Sequence, residues 1–258
     1  MIENNSDQYL IDNFLKNFNK PQNILLIRIP SINYETFNIE HQKKAGYMTY
    51  QPISITTLAA TLREKIPNLN IKLLDLEYET LKIMFETGKK DNVMENIVQK
   101  TIQEFKPDMV GLSVVFSVGI NNGISVMKQV KSFNKKTMVI FGGVHCTFDF
   151  ERIISEGSDM VFLKEADITF PAFIKYARKE TNFNEDIHGF VMKYNDSFKK
   201  IEYKKYPDFK NLPMPAWDMI DTGKYHEVSS VCGLKNVINE KAPTAIIQTL
   251  RGCVARCT

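Results

Sequence analysis

Continuous apolar runs alternate along the first 180 residues with stretches whose apolar positions recur every three to four residues. Asn23 to Ile29 is a run of β-branched and Leu residues ending at Arg28-Ile29-Pro30, which suits a strand buried on both faces. After a long polar loop, Ile55, Leu58, Ala59, Leu62 and Ile66 recur at helical spacing, and Ile71 to Leu74 forms a second buried strand ending in Asp75. Met94, Ile97, Val98, Ile102 and Phe105 mark a helix that stops before Pro107, and Met109 to Val115 reads as a third strand. The series continues with a helix on Ile120, Ile124, Met127 and Val130 and a strand from Thr137 to Phe141. A helix near Phe148 to Ile154, a strand from Met160 to Leu163 and a helix carrying Phe170, Phe173, Ile174 and Ala177 complete it. Pro171 suits that last helix's first turn.

Five strands alternating with helices predict an α/β fold: a doubly wound five-stranded parallel sheet of Rossmann-like or flavodoxin-like type, with strand order 2-1-3-4-5. Ligands of such sheets bind beyond the carboxyl ends of the strands, so the loops after Ile29, Val115, Phe141 and Leu163 are the candidate site. After Glu180 the pattern changes. Gly189 to Tyr194 and Phe198 to Tyr203, separated by Asn195-Asp196-Ser197, predict a β-hairpin attached to the end of the sheet domain. Pro207, Pro213 and Pro215 punctuate a connector with Trp217, and Thr244 to Thr249 is a β-branched run that predicts a new strand. The chain divides into a helical extension (1–20), the sheet domain (21–180), hairpin and connector (181–243) and the start of a further domain (244–258). A strand and a few residues make no domain, so the 258 residues are expected to be the front part of a longer protein or a product cut short.

Composition narrows the classes. Apolar residues at 43% and charged residues at 24% exclude disordered and coiled-coil chains, and a net charge of +3 gives no electrostatic case for nucleic acid or anionic lipid. Met109 to Met127 carries no charge, but Ser113, Ser117, Asn121, Asn122 and three glycines interrupt it, and leaving such groups in hydrocarbon is costly. No membrane partner is expected. Acids at Glu3, Asp7 and Asp12 and no apolar core in the first twenty residues exclude a secretory signal, so a cytoplasmic location is expected. Four cysteines in such a compartment argue for metal binding or catalysis over a disulfide framework.

The chemistry concentrates in two places. Arg251-Gly252-Cys253-Val254-Ala255-Arg256-Cys257-Thr258 follows the last predicted strand, and two thiolates on a Gly-containing loop suit a metal. On spacing alone they also fit half a zinc site or two incidental thiols. Gly142-Gly143-Val144-His145-Cys146-Thr147 follows the fourth strand. Its glycines let a large ligand approach the backbone, and a bulky side chain at Gly143 is expected to fill the ligand's space, while His145 and Thr147 offer polar contacts. A tight turn with Thr147 capping the next helix is the plainer alternative. Ser113 and Ser117 in the third loop can contact a nucleotide-like tail or simply satisfy nearby backbone. Cys146 and Cys232 have no ligand partners in sequence, and His41 reads as a surface residue.

Strand, then Arg-Gly-Cys-x-x-x-Cys-Thr, resembles the opening of the radical S-adenosylmethionine enzymes. The resemblance implies that Cys253 and Cys257 are two of three ligands of a 4Fe-4S cluster, the third falling two positions beyond Thr258. Gly142-Gly143-x-His145-x-Thr147 and the connector Leu212-Pro213-Met214-Pro215-Ala216-Trp217-Asp218 are similar to motifs of the subfamily in which a cobalamin-binding sheet domain precedes the radical domain. Three motifs in the family's order cover the chain from about Asn23 onward. They imply cobalamin, the cluster and S-adenosylmethionine as cofactors, with Ser113, Ser117, Gly142, Gly143, His145, Thr147 and Glu165 at the cobalamin.

The implied function is the cobalamin-binding region, and first barrel strand, of a radical enzyme of methyltransferase type or of a related C–H functionalisation. In that chemistry a deoxyadenosyl radical abstracts hydrogen from carbon, and the chain by itself is expected to bind cofactor without catalysis. Two departures bear on this. Where the family often has Gly-Glu-Gly-Glu after the fifth strand, this chain has Lys164-Glu165-Ala166-Asp167, keeping both acids and losing both glycines. The Asp-x-His-x-x-Gly motif that places histidine on cobalt is absent, so no histidine ligand is expected. The altered fifth loop leaves open a member whose sheet domain has lost cobalamin and serves as a platform for substrate or partner. A phosphoacceptor domain is excluded by Arg28-Ile29-Pro30 and Val114-Val115-Phe116 at the places of its acids, despite Lys164. A flavodoxin-like carrier is disfavoured because the first loop has no Thr and Ser cluster for the flavin phosphate.

Overall fold

The structure is a computed structural model and describes residues 2–45, 47, 49–227 and 246–252. Its elements in chain order are α1 (Ile2–Leu15), β1 (Asn23–Arg28), α2 (Ile39–Ala45), α3 (Ile53–Lys65), β2 (Asn70–Asp75), α4 (Leu76–Thr87) and α5 (Val93–Phe105). Then come β3 (Met109–Ser113), α6 (Ile120–Phe133), β4 (Met138–Gly142), α7 (Val144–Phe148), α8 (Phe150–Ser155), β5 (Met160–Phe162), α9 (Thr169–Ala177), β6 (Phe190–Tyr194) and β7 (Ser197–Ile201).

All seven strands form one sheet in the order β2-β1-β3-β4-β5-β6-β7. The first five are parallel, in the expected order, and β6 and β7 add antiparallel to the β5 edge. The hairpin is therefore part of the sheet itself. Tyr194 pairs with Ser197, so the connection is the two-residue loop Asn195-Asp196 with Asn195 at φ 53°, shorter than the three residues expected. β7 ends at Ile201, and Tyr203 leaves the ladder to pack edge-on against His188.

Successive strand residues serve opposite layers, as the pleat requires. Leu25, Ile27, Val110, Leu112, Val139 and Phe141 meet the apolar faces of α5, α6 and α8. Ile24, Leu26, Met109, Met138, Ile140 and Phe162 meet α3, α9 and α1, with Ile11 and Phe14 of α1 in that same layer. Because both faces are covered, every residue of the β4 run Met138 to Phe141 is at most 2% exposed, which is why the strands read as unbroken apolar runs.

A buried ionic network closes the carboxyl ends of β1 and β2. Arg28 donates to Asp75 Oδ2 at 3.2 Å and to Glu77 Oε1 at 2.6 Å. The Glu77 carboxylate also accepts from the Ser31 backbone N–H and the Thr49 hydroxyl, and Asp75 accepts from Tyr225 at 2.7 Å. The polar loop after β1 and the connector's last turn are thus tied to the sheet. Of the strand expected over Thr244 to Thr249, the described residues 246–249 make no sheet pairing, and Ile247 is 80% exposed. Among the described residues no helix is long and apolar enough to cross a membrane.

Candidate ligand site at the carboxyl edge of the sheet

The order in which strands are added reverses between β1 and β3, which run parallel, and the crevice there opens into a cavity of about 280 Å³. Its floor is Leu26, Gly111 and Ile140 from the α3 side of the sheet. Ile53, Ser54 and Leu58 of α3 form one wall, and Phe162 and Phe170 another. The rim carries Ser113, Gly142, Gly143 and the Lys164-to-Asp167 loop, with Gln248 and Arg251 closing the mouth. An apolar interior with a few polar groups at its edge suits a large organic ligand with an aromatic or hydrocarbon portion. The hydroxyls of Ser54 and Ser113 lie 3.1 Å apart on the wall. Each can turn to a ligand nitrogen or oxygen.

The two rim glycines differ in kind. A Cβ built on Gly142 meets no atom within 4 Å, so the space beside it is open. Gly143 lies at φ +108°, and a Cβ there would fall 2.4 Å from the Val114 carbonyl oxygen. The expectation that a side chain at Gly143 would fill the ligand's space is therefore corrected: it would strike backbone of the β3 loop, and Gly142 is the position that opens on the cavity.

Ser113, Gly142, Gly143 and Glu165 line the cavity together, whereas Ser117, His145 and Thr147 do not. The latter three join the loops around it. The Ser117 hydroxyl lies 3.1 Å from His145 Nδ1, and His145 Nε2 lies 3.2 Å from Asp149 Oδ2, so both ring nitrogens have protein partners. Thr147 is not a helix cap but lies inside α7, where its hydroxyl accepts the Lys164 backbone N–H at 2.8 Å. That bond holds Lys164 at φ 56°, a left-handed conformation costly for a side chain, with its ammonium 5.1 and 5.2 Å from the ring centroids of Tyr203 and Tyr206. On the neighbouring loops and α7, Phe116, Val118, Val144 and Phe148 are 47 to 82% exposed, and Val144 also lines the cavity. Cys146 is buried inside α7: burial pushes its thiol up to about 12, and the thiol donates to the Gly142 carbonyl. His41 is exposed.

Sequence reasoning missed Ser54, Asp167 and Arg251 as members of this site. Asp167 was visible as the second retained acid of the fifth loop. Arg251 was visible only as the leading residue of the cysteine motif, with nothing in sequence to say that it reaches the sheet. Cys253, Cys257 and Cys232 lie outside the described residues. Among the described residues no group of three or more His, Cys, Asp and Glu is placed to hold a metal.

An open α/β sheet with an apolar cavity at its switch point and a glycine on the rim defines a binding domain for a bulky cofactor. Residues 46–174 match the B12 binding domain, half of the chain, and the chain belongs to that family. It is 22% identical over 235 residues to the cytidylyl-2-hydroxyethylphosphonate methyltransferase of Streptomyces wedmorensis, covering 80% of this chain and 43% of that protein. The chain thus spans less than half the length of this curated relative. Among solved structures it resembles the cobalamin-dependent S-adenosylmethionine radical enzyme OxsB with aqua-cobalamin bound, with a TM-score of 0.56 at 20% identity over 81% of this chain and 25% of that one. The radical S-adenosylmethionine methyltransferase TsrM from Kitasatospora setae, with cobalamin and a 4Fe-4S cluster bound, gives a TM-score of 0.53 at 11% identity over 74% of this chain and 30% of that one. At these identities the structural likeness is one of fold.

Proposed function

We infer that this chain is the cobalamin-holding part of a radical S-adenosylmethionine enzyme of methyltransferase type, and that the cavity beside α3 receives part of the cofactor. The observation that carries the reading is the open, apolar cavity at the switch point of a B12 binding domain, with Gly142 leaving its rim clear. The residues fit a corrinoid. The cavity is lined by hydrocarbon and carries the paired hydroxyls of Ser54 and Ser113, and the exposed apolar residues Phe116, Val118, Val144 and Phe148 offer a broad non-polar surface to a macrocycle. When bound, cobalamin supplies a cobalt centre that carries a methyl group. The chain's own residues bind it, orient it and exclude water. The radical half of the assignment rests on the Arg251-Gly252-Cys253-x-x-x-Cys257 motif and its position after the sheet domain, and the methyltransferase half on a curated relative named as a methyltransferase.

Gel filtration of the chain with hydroxocobalamin tests the cofactor assignment. Co-elution of the chromophore with the protein is expected. No retention at about 100 μM cobalamin excludes a tighter Kd and overturns the reading in favour of a platform for substrate or partner.

A further inference from the structure

The described C-terminal residues, 246–252, reach the mouth of the cavity, and one side chain holds them there. Arg251 Nη1 donates to Asp167 Oδ2 at 2.6 Å and to Glu165 Oε2 at 3.1 Å, while its Nε donates to Gln248 Oε1 at 3.2 Å. The guanidinium carbon also lies 5.8 Å from the centroid of the Phe209 ring on the connector. Asp167 is only 6% exposed, and a carboxylate so buried requires a cation. Arg251 supplies it: Nη1 bridges the two acids while Nη2 lies 3.5 Å from Asp167 Oδ1, so the planar guanidinium meets the Asp167 carboxylate with both its terminal nitrogens, a geometry the point charge of a lysine does not offer. Arg251 and Gln248 are at the same time part of the cavity wall.

We propose that Glu165 and Asp167 form a clamp for Arg251, making it a positioning residue that couples filling of the cavity to the placement of the segment leading into the cysteine motif. The coupling rests on the cofactor reading above. The clamp rests on the ion pairs alone. Both acids belong to the Lys164-to-Asp167 loop on the cavity rim, so the loop that edges the cavity also anchors the chain beyond it. A ligand that packs on a wall built partly from Arg251 and Gln248 stabilises the clamped arrangement, and by linkage the clamp tightens the ligand to the same degree.

Trypsin reads this directly, because the bond after Arg251 is cut only when the guanidinium has left its acids for the protease pocket. In the ligand-free 258-residue chain, Asp167→Asn is expected to raise the rate of cleavage after Arg251 about tenfold, with Glu165→Gln giving a smaller rise. Far-UV circular dichroism confirms the fold of each variant, and Glu165→Gln decides the matter if Asp167→Asn unfolds. Hydroxocobalamin, its binding followed by absorbance, is expected to slow cleavage of the wild-type chain about fivefold and to lose most of that effect with Asp167→Asn. Equal ligand-free rates in wild type and folded variants overturn the clamp. A faster variant together with a wild-type rate unmoved by cobalamin that is demonstrably bound overturns the coupling and leaves the cofactor assignment standing. Absence of bound cobalamin overturns that assignment, and the coupling with it, while the ligand-free rates still decide the clamp.

Discussion

The α carbon of Gly143 is pressed against the Val114 carbonyl so closely that a single added Cβ would lie 2.4 Å from that oxygen, whereas its neighbour Gly142 faces open space. One glycine is required by backbone meeting backbone, the other by the room it leaves. Gly143→Ala is therefore expected to destabilise the fold by about 2 kcal/mol or more through the strained φ and the clash, seen as a lower urea midpoint. Gly142→Phe is expected to keep the wild-type midpoint and abolish co-elution with hydroxocobalamin. The reverse pattern would refute this division of roles.

The His145 ring is held by Ser117 on one side and Asp149 on the other. Cobalamin bound to this chain is expected to show the absorbance of a cobalt without a histidine ligand, and His145→Ala is expected to leave that spectrum unchanged. A spectral shift on substitution would place the imidazole on the metal.

Arg28 balances two carboxylates, with Asp75 and Glu77 only 7% and 1% exposed. Removing the cation leaves buried negative charge without a counter-charge, which costs about 3 kcal/mol. Arg28→Leu is expected to lower the melting temperature by roughly 6 to 12 °C, and the additional change Glu77→Gln is expected to recover part of the loss. A melting temperature within 2 °C of wild type would show that the network carries little stability.

His188 is fully buried at the hairpin base, its Nδ1 accepting the Lys204 backbone N–H at 3.3 Å while Nε2 has no hydrogen-bond partner among the described residues. Burial, reinforced by Lys204 and Lys205 and opposed by Asp186, holds its pKa below the ordinary 6.5. The unfolded chain therefore takes up a proton first as pH falls. The stability from neutral His188 is complete above about pH 6.5 and declines below it, down through the lowered folded value. Urea unfolding between pH 7.5 and 5 is expected to show this decline, and His188→Gln to flatten it. An equal slope in the variant would assign the pH dependence to other groups.

Strand order, helices on both faces and two of the four expected loops, those after Phe141 and Leu163, were legible in the sequence, because a parallel sheet covered on both faces demands unbroken apolar runs such as Met138 to Phe141, each followed by a helix of period 3.6, whereas the loops after Ile29 and Val115 do not line the cavity. The motif residues likewise declared the family through their order along the chain. Which glycine opens on the cavity was not legible, since Gly142 and Gly143 are chemically identical and only the φ of Gly143 and the nearness of Val114 separate them. Nor did residue type distinguish His145 and Thr147, which bind neighbouring loops, from Ser113 and Ser54, which face the cavity. The hairpin's membership of the main sheet, and the reach of Arg251 across more than eighty residues to Asp167, are long-range pairings. Local pattern records how a segment folds and which face it buries. Which distant segment it meets depends on packing of the whole chain, and only the tertiary structure decides that.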